Sequence, residues 1–280
     1  MPIRRLLPLL ALAAWVALPR PLTAQQTPAA PYRILITNDD GVHAPGILAV
    51  AQALRDLGEV TIVAPAENQS AKGHSISITD PIYADAVTLP GGIEATALSA
   101  TPASCVKVGV LALMSHKPDL VVAGINRGYN LGRVTYVSGT AGAAREAALM
   151  EIPAIAASVA VEQTNYAPAA AIVREVARQV KAHGLAPGVF LNVNVPAGAA
   201  DAIKGLQLTR QSRLTGTEHF EQQTSPRGRR YFWSVWQEPT GDVEGTDVWA
   251  TEHGYAAVTP LHAGEFDQAT YDAWKGLLAR

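Results

Sequence analysis

One stretch limits the choices for the whole chain. Tyr32 to Ile36 is a short, mostly apolar run, and after Thr37 it stops abruptly in Asn38-Asp39-Asp40-Gly41. The run is too brief for a helix and reads as a buried strand of a parallel sheet. The Asn-Asp-Asp-Gly favours a turn, and a helical pattern begins near Pro45-Gly46. In open α/β sheets ligands collect at the carboxyl ends of strands. Two adjacent carboxylates placed there repel each other unless a cation or a shared proton neutralises them, and a divalent metal with oxygen ligands satisfies both. The same pair can equally cap the next helix and shape the turn. Taken alone, the stretch leaves these two readings level.

The rest of the chain repeats the strand-loop-helix alternation. Gly46–Leu57 carries Ile47, Leu48, Val50, Ala51 and Leu54 on one helical face, and Glu59–Ala64 is a second strand ending in the polar loop Pro65–Ser70. Two successive βα units imply parallel pairing. Ser75–Ile82 and Ile93–Ser99 read as extended pieces separated by Pro90-Gly91-Gly92. Thr101-Pro102 opens a helix to about Met114, with a hydroxyl cap and a proline in the first turn. Asp119–Ala123 is a strand followed by the loop Gly124–Gly132, and Ser138-Gly139-Thr140 leads an Ala-rich helix through Met150. Ile155–Val159, helix Ala167–His183 and strand Val189–Val195 complete the series. Beyond it, Gly205–Arg210, Tyr231–Trp236 and Gly254–Val258 look like antiparallel strands with longer loops, and Ala269–Leu278 like a final helix. Tyr231, Trp233, Trp236 and Trp249 suggest an arm that buries aromatic surface, on its own core or on another subunit. The expected fold is α/β, a Rossmann-like mostly parallel sheet with a C-terminal β-rich arm.

Three strands therefore end in polar loops with glycine, Asn38–Gly41, Glu67–Gly73 and Gly124–Gly132, and in a parallel sheet these ends share one edge. Asp39, Asp40, Ser70 and Asn126 can then offer oxygens to one cation, a hard donor set suited to Mg²⁺, Mn²⁺ or Ca²⁺ rather than zinc. Ser138-Gly139-Thr140 at a helix start adds N–H groups and a positive dipole end, an anion site. A metal beside a helix N-terminus reads as a phosphoryl site, yet neither a P-loop nor a dinucleotide fingerprint is present. His43 and His74 fall near these loops and are more often structural, while Lys72 and Arg127 either meet an anionic substrate or face solvent.

These segments resemble the SurE (survival protein E) family of nucleotidases and acid phosphatases. The resemblance rests on Ile36–Gly41, Pro65–Ser70 with Gly73–Ile76, Thr101–Val106, Gly124–Asn130 and Tyr136–Ala147, then Leu191–Pro196, Thr246-Asp247 and Thr259–Leu261. It spans roughly residues 32–262 in the expected order. It implies metal ligation by Asp39, Asp40, Ser70 and Asn126, and phosphate handling by Asn130, Ser138, Gly139 and Thr140. It also implies a C-terminal arm, about 205–262, exchanged between subunits of a homodimer or homotetramer. Ser104 departs from the family's usual Asp and Ala100 from its glycine, beside the expected nucleotide pocket; the tail 263–280 keeps little of the usual ending.

The expected activity is divalent-metal-dependent hydrolysis of nucleoside monophosphates to nucleoside and phosphate (5′ or 3′), with Asp39, Asp40, Asn130 and Ser138 as the catalytic group. A water attack assisted by Asp39 or Asp40 and an aspartyl-phosphate route through Asp39 are both open. The alternative from another class is an exported, non-catalytic nucleotide- or anion-binding protein; a receiver-like domain fits the arm poorly. Net charge is −2 with no block of like charges, so no nucleic-acid footprint is expected. Arg4-Arg5, the apolar run Leu6–Leu18 and Leu22-Thr23-Ala24 read as a signal peptide over residues 1–24, since the run is shorter than the roughly 17–25 residues of a membrane span. That places the mature protein in a periplasm or outside the cell, free of the membrane, the alternative being cytoplasmic as in many relatives; residues 25–31 read as a disordered lead-in. Cys105 is the lone cysteine, which excludes an intramolecular disulfide or a cysteine zinc cluster and suits a buried structural thiol.

Overall fold

A computed structural model describes residues 31–277. The signal peptide expected over residues 1–24 and the lead-in up to residue 30 lie outside the described residues. Alternate residues of β1 (Arg33–Thr37) serve two cores. Ile34 and Ile36 pack with Ile47, Val50 and Leu54 of α1 (Pro45–Leu54) and with Val173, Val176 and Val180 of α4 (Ala167–His183). Leu35 faces the other way, into Cys105 and Val106 of α2 (Pro102–Val108) and the alanines of α3 (Gly139–Leu149). A strand buried on both faces needs helices on both, so the β1 sequence alone dictates a three-layer sandwich. The Ala-rich face of α3 lets it lie close to the sheet and to α2.

The remaining strands are β2 (Glu59–Pro65), β3 (Ala84–Leu89), β4 (Ile93–Leu98), β5 (Leu120–Arg127), β6 (Ala154–Val159), β7 (Val189–Val195), β8 (Leu206–Leu208), β9 (Thr217–Thr224), β10 (Arg230–Gln237) and β11 (Ala256–His262). Nine of the eleven strands form one sheet in the order β3-β4-β2-β1-β5-β6-β7-β11-β8, while β9 and β10 form a separate hairpin. Pairing is parallel except for β3 with β4 and β11 with β7. The chain builds outward from β1 through β2 on one side and through β5 on the other, so the crevice between the carboxyl ends of β1 and β5 is the topological switch point.

Several expectations from sequence are corrected. Ser75–Ile82 is not a strand: Asp80-Pro81 breaks the ladder, and the segment is held instead by Ser77 N–H donating to Ser104 Oγ (2.7 Å) and Thr101 Oγ1 donating to Ser75 O (2.6 Å). That second bond diverts the hydroxyl expected to cap α2. The α-helix ends at Val108 and continues as a π turn through Leu113. β5 runs on past Ala123 to Arg127, because Gly124 (φ +133°) lets the strand shift register against β6; a Cβ there would lie 2.3 Å from Ala157 O. β8 pairs with β11 in parallel, not antiparallel. β9 was not anticipated, since its sequence Thr-Glu-His-Phe-Glu-Gln-Gln-Thr has no apolar face to betray a strand. α5 (Asp247–Glu252) and α6 (Gln268–Trp274) close the chain.

Candidate active site

A cavity of about 550 Å³ opens at the switch point, lined by Asp39, Ser70, Asn126, Arg127, Asn130 and Ser138 among others. The loops after β1, β2 and β5 and the start of α3 thus converge where parallel pairing required. The turn after β1 is locked by Asn38 Nδ2 donating to Gly41 O (2.7 Å). Gln69 N–H donates to Asp39 O (2.7 Å), pinning the Ser70 loop to the turn.

Asp39 is buried, 3% exposed. Its Oδ1 accepts the Thr140 hydroxyl at 2.6 Å. Burial pushes the Asp39 carboxyl up to about 6, against the pull of the Thr140 bonds and with a further push from the Asp40 charge. Gly139 makes this closeness possible: a Cβ there would meet Asp39 Cβ at 2.9 Å and Oδ2 at 3.0 Å. Asp40 is half-buried, accepts the Arg127 N–H on Oδ2 (3.0 Å), and lines an adjoining depression with Arg127 and Tyr166. Its carboxyl is also raised by burial, opposed by Arg127. Asn126 commits Nδ2 to Gly128 O (2.7 Å), which leaves its oxygen as the end for a ligand.

Among the described residues no group of three or more His, Cys, Asp and Glu converges. A cation here would be held by two carboxylates with neutral Ser70 and Asn126 oxygens, a donor set that fits a hard divalent ion and not zinc. A buried carboxylate beside a second one, in a cradle that a single Cβ would fill, fits such an ion as well.

Ser138 lines the cavity and caps α3, accepting Ala141 N–H at 3.0 Å. Thr140 is fully buried, and its hydroxyl donates to Asp39. The start of α3 therefore meets the aspartate through the Thr140 side chain. Asn130, 5% exposed, lines the cavity and is bonded at its backbone by Asn192 and Asn194 of β7.

His74 is structural in its contacts, with Nε2 on Glu146 Oε2 at 2.7 Å, while Lys107 reaches Glu146 Oε1 at 3.0 Å. His43 and Lys72 are exposed, and Arg127 lines the cavity with its Nε donating to Val161 O (3.0 Å). Ser104 sits in the knot with Ser77 and Thr101. Sequence reasoning missed the far wall: Thr215, Glu218, Ser234, Trp236 and Glu238, from the β9–β10 hairpin and its flanks, also line the cavity. No motif marks them; only the hairpin's alternation, which puts Ser234, Trp236 and Glu238 on one face, could have grouped them. Asp247 was singled out without a role, and it bonds Gly132 N–H (2.8 Å) and Ser212 N–H (2.9 Å), tying the Asn130 loop to the C-terminal half.

The family model described as "Survival protein SurE" matches residues 34–218. The chain is 46% identical over 232 residues to a protein named 5′-nucleotidase SurE from Geobacter sulfurreducens, covering 82% of this chain and 87% of that one. It is 46% identical over 233 residues to the protein of the same name from Syntrophotalea carbinolica, covering 82% and 90%. The crystal structure of the SurE protein from Aquifex aeolicus superposes with a TM-score of 0.76 at 35% identity, over 88% of this chain and 100% of that one.

Proposed function

The chain belongs to the SurE family, and on that premise we propose that it is a 5′-nucleotidase that hydrolyses nucleoside monophosphates to nucleoside and phosphate with a bound divalent cation. The observation that carries the reading is the meeting of Asp39, Ser70, Asn126, Asn130 and Ser138 in one cavity at the switch point of the sheet. The non-catalytic binding protein finds no support beside relatives that are named for catalysis.

Asp39, Asp40, Ser70 and Asn126 would hold the cation, which when bound polarises a phosphoryl oxygen and lowers the pKa of a water molecule. Asp39 faces the cavity, while Asp40 is engaged by the Arg127 N–H and faces the adjoining depression. That division favours Asp39 as the acceptor of the proton from the attacking water. The water oxygen bonds to phosphorus, the ester P–O bond breaks, and the leaving oxygen takes up a proton to give the nucleoside. The Asn130 amide and the Ser138 end of α3 hold charge that develops on the phosphoryl oxygens.

We also place the mature enzyme in a periplasm or outside the cell, on the leader read in residues 1–24. Among the described residues no helix is long and apolar enough to cross a membrane. A homodimer or homotetramer built through the C-terminal arm is supported by the exposure of Phe220 (64%), Phe232 (58%) and Trp233 (61%) on the β9–β10 hairpin.

The test is phosphate release from a panel of nucleoside monophosphates with Mg²⁺ or Mn²⁺. Release that EDTA abolishes and added metal restores is expected. Tight nucleotide binding without release would overturn the proposal.

A further inference from the structure

Asn130 is gripped at three points by side chains of the two neighbouring strands. Its N–H donates to Asn194 Oδ1 at 2.8 Å. Its carbonyl accepts from Asn192 Nδ2 at 2.7 Å and from Asn194 Nδ2 at 3.2 Å. Its own amide Nδ2 donates to Ser158 Oγ at 2.8 Å. Ser158, at the end of β6, is 0% exposed; Asn194 and Asn192, on β7, are 0% and 1% exposed. β6 and β7 pair with Ser158 beside Asn194, so all of these groups come from one patch of the sheet's carboxyl edge.

Strand interiors buried on both faces are expected to be apolar, and a polar group placed there is costly unless it finds a partner. β6 and β7 keep to that rule until these three residues. Ser158 Oγ, both amide atoms of Asn194 and Asn192 Nδ2 turn to Asn130, in a loop bounded by Gly128 (φ +111°) and Gly132 (φ +52°). A loop amide that must meet a phosphoryl oxygen needs its rotamer and its backbone fixed to within about 0.5 Å. The Ser158 hydroxyl fixes the first and the Asn194 carboxamide the second.

We infer that Ser158 and Asn194, with Asn192, are positioning residues for the hydrolytic step, acting through Asn130 without touching substrate. This rests on the proposed role of Asn130 in holding the phosphoryl group. One N–H of the Asn130 amide is bonded to Ser158, and the other remains for the phosphoryl oxygen, so loss of the Ser158 hydroxyl lets the amide rotate out of line.

The test is a double-mutant cycle on the full-length, metal-loaded enzyme with a nucleoside monophosphate, together with thermal melts. Ser158→Ala is expected to lower kcat by roughly 10–100-fold, the range typical of outer-sphere positioning groups. KM should change less than kcat, and the melt should stay that of a folded protein. In an Asn130→Ala background, Ser158→Ala should cost nothing further, because the residue through which it acts is gone. Equal cost of Ser158→Ala in both backgrounds, or a loss carried by KM alone, overturns the inference and leaves the proposed role of Asn130 standing. Wild-type turnover by Asn130→Ala overturns that role, and the inference with it.

Discussion

Thr140 Oγ1 lies 2.6 Å from Asp39 Oδ1, a bond that joins residues 101 positions apart across the mouth of the sheet. It makes the start of α3 the support of the aspartate that heads the cavity. Thr140→Val keeps the shape and removes the donor, leaving a buried carboxylate short of a partner at a cost of about 1–3 kcal/mol. The bond lowers the Asp39 carboxyl against a burial push that brings it to about 6. Without it the carboxyl rises further, so in the metal-free protein the Asp39 titration, followed by NMR in EDTA, should move to higher pH. Thr140→Ser should restore the wild-type titration, and an unmoved one in Thr140→Val would count against this role.

Asp39 itself should destabilise the metal-free protein. Its folded pKa of about 6 stands above the ordinary 3.8, so stability from this group is present below about pH 4 and is lost as pH rises through 6. Asp39→Asn should therefore melt higher than wild type in EDTA at pH 7–8, by at most about 3 kcal/mol, with the gap closing near pH 4. The same variant should lack phosphatase turnover. A variant that melts lower than wild type at pH 8 would contradict the electrostatic reading.

Much of this was legible in sequence, because the continuous apolar run Ile34, Leu35 and Ile36, buried throughout, and the abrupt Asn38–Gly41 turn are local signals. The metal-ligand candidates followed from counting which strand ends share an edge. The bond from the Thr140 hydroxyl to Asp39 was not legible, because a helix N-terminus in sequence shows its donors but not which acceptor reaches them. Ser158, Asn192 and Asn194 carried no local signal of their role, since their partner is fixed only by strand order. Trp236 was read as packing surface, because which face of a hairpin meets a cavity depends on a docking that no local pattern encodes.

Glu146 couples the loop after β2 to α2 and α3 through His74 and Lys107. The His74 bond first, then the Lys107 contacts, holds its carboxyl below the ordinary 4.5. A depressed carboxylate contributes stability above its unfolded pKa and loses it as pH falls through the folded one. Glu146→Gln should lower stability at pH 7 by about 1–2 kcal/mol, discounted for the partly exposed partners. The deficit should shrink below pH 4.5. Urea melts of both proteins at pH 7 and pH 4 decide this, and a deficit that persists at the lower pH would sink it.

Gly139→Ala would place a methyl group 2.9 Å from Asp39 Cβ and 3.2 Å from Pro102 Cγ, in a helix start with no slack on either side. Forcing a methylene-sized group into such a site costs about 1–3 kcal/mol. The strain falls on the carboxylate, so Mn²⁺ affinity measured by calorimetry should weaken along with turnover. Unchanged affinity would show that Asp39 does not depend on this cradle.

Trp236 shares the cavity with Asp39 and Ser138, although it belongs to the C-terminal hairpin. On the proposed function, a nucleotide held by its phosphate at Asn130 and Ser138 would extend its base into the remaining volume, where Trp236, with Tyr129, offers aromatic surface. Base–aromatic stacking contributes about 1–3 kcal/mol per base. Trp236→Ala should therefore raise KM for nucleoside monophosphates by roughly 5–150-fold, as that energy range converts. Glycerol phosphate, which has no base, should be hydrolysed with an unchanged KM. Equal losses on both substrates would mean that Trp236 shapes the cavity as a whole and does not read the base.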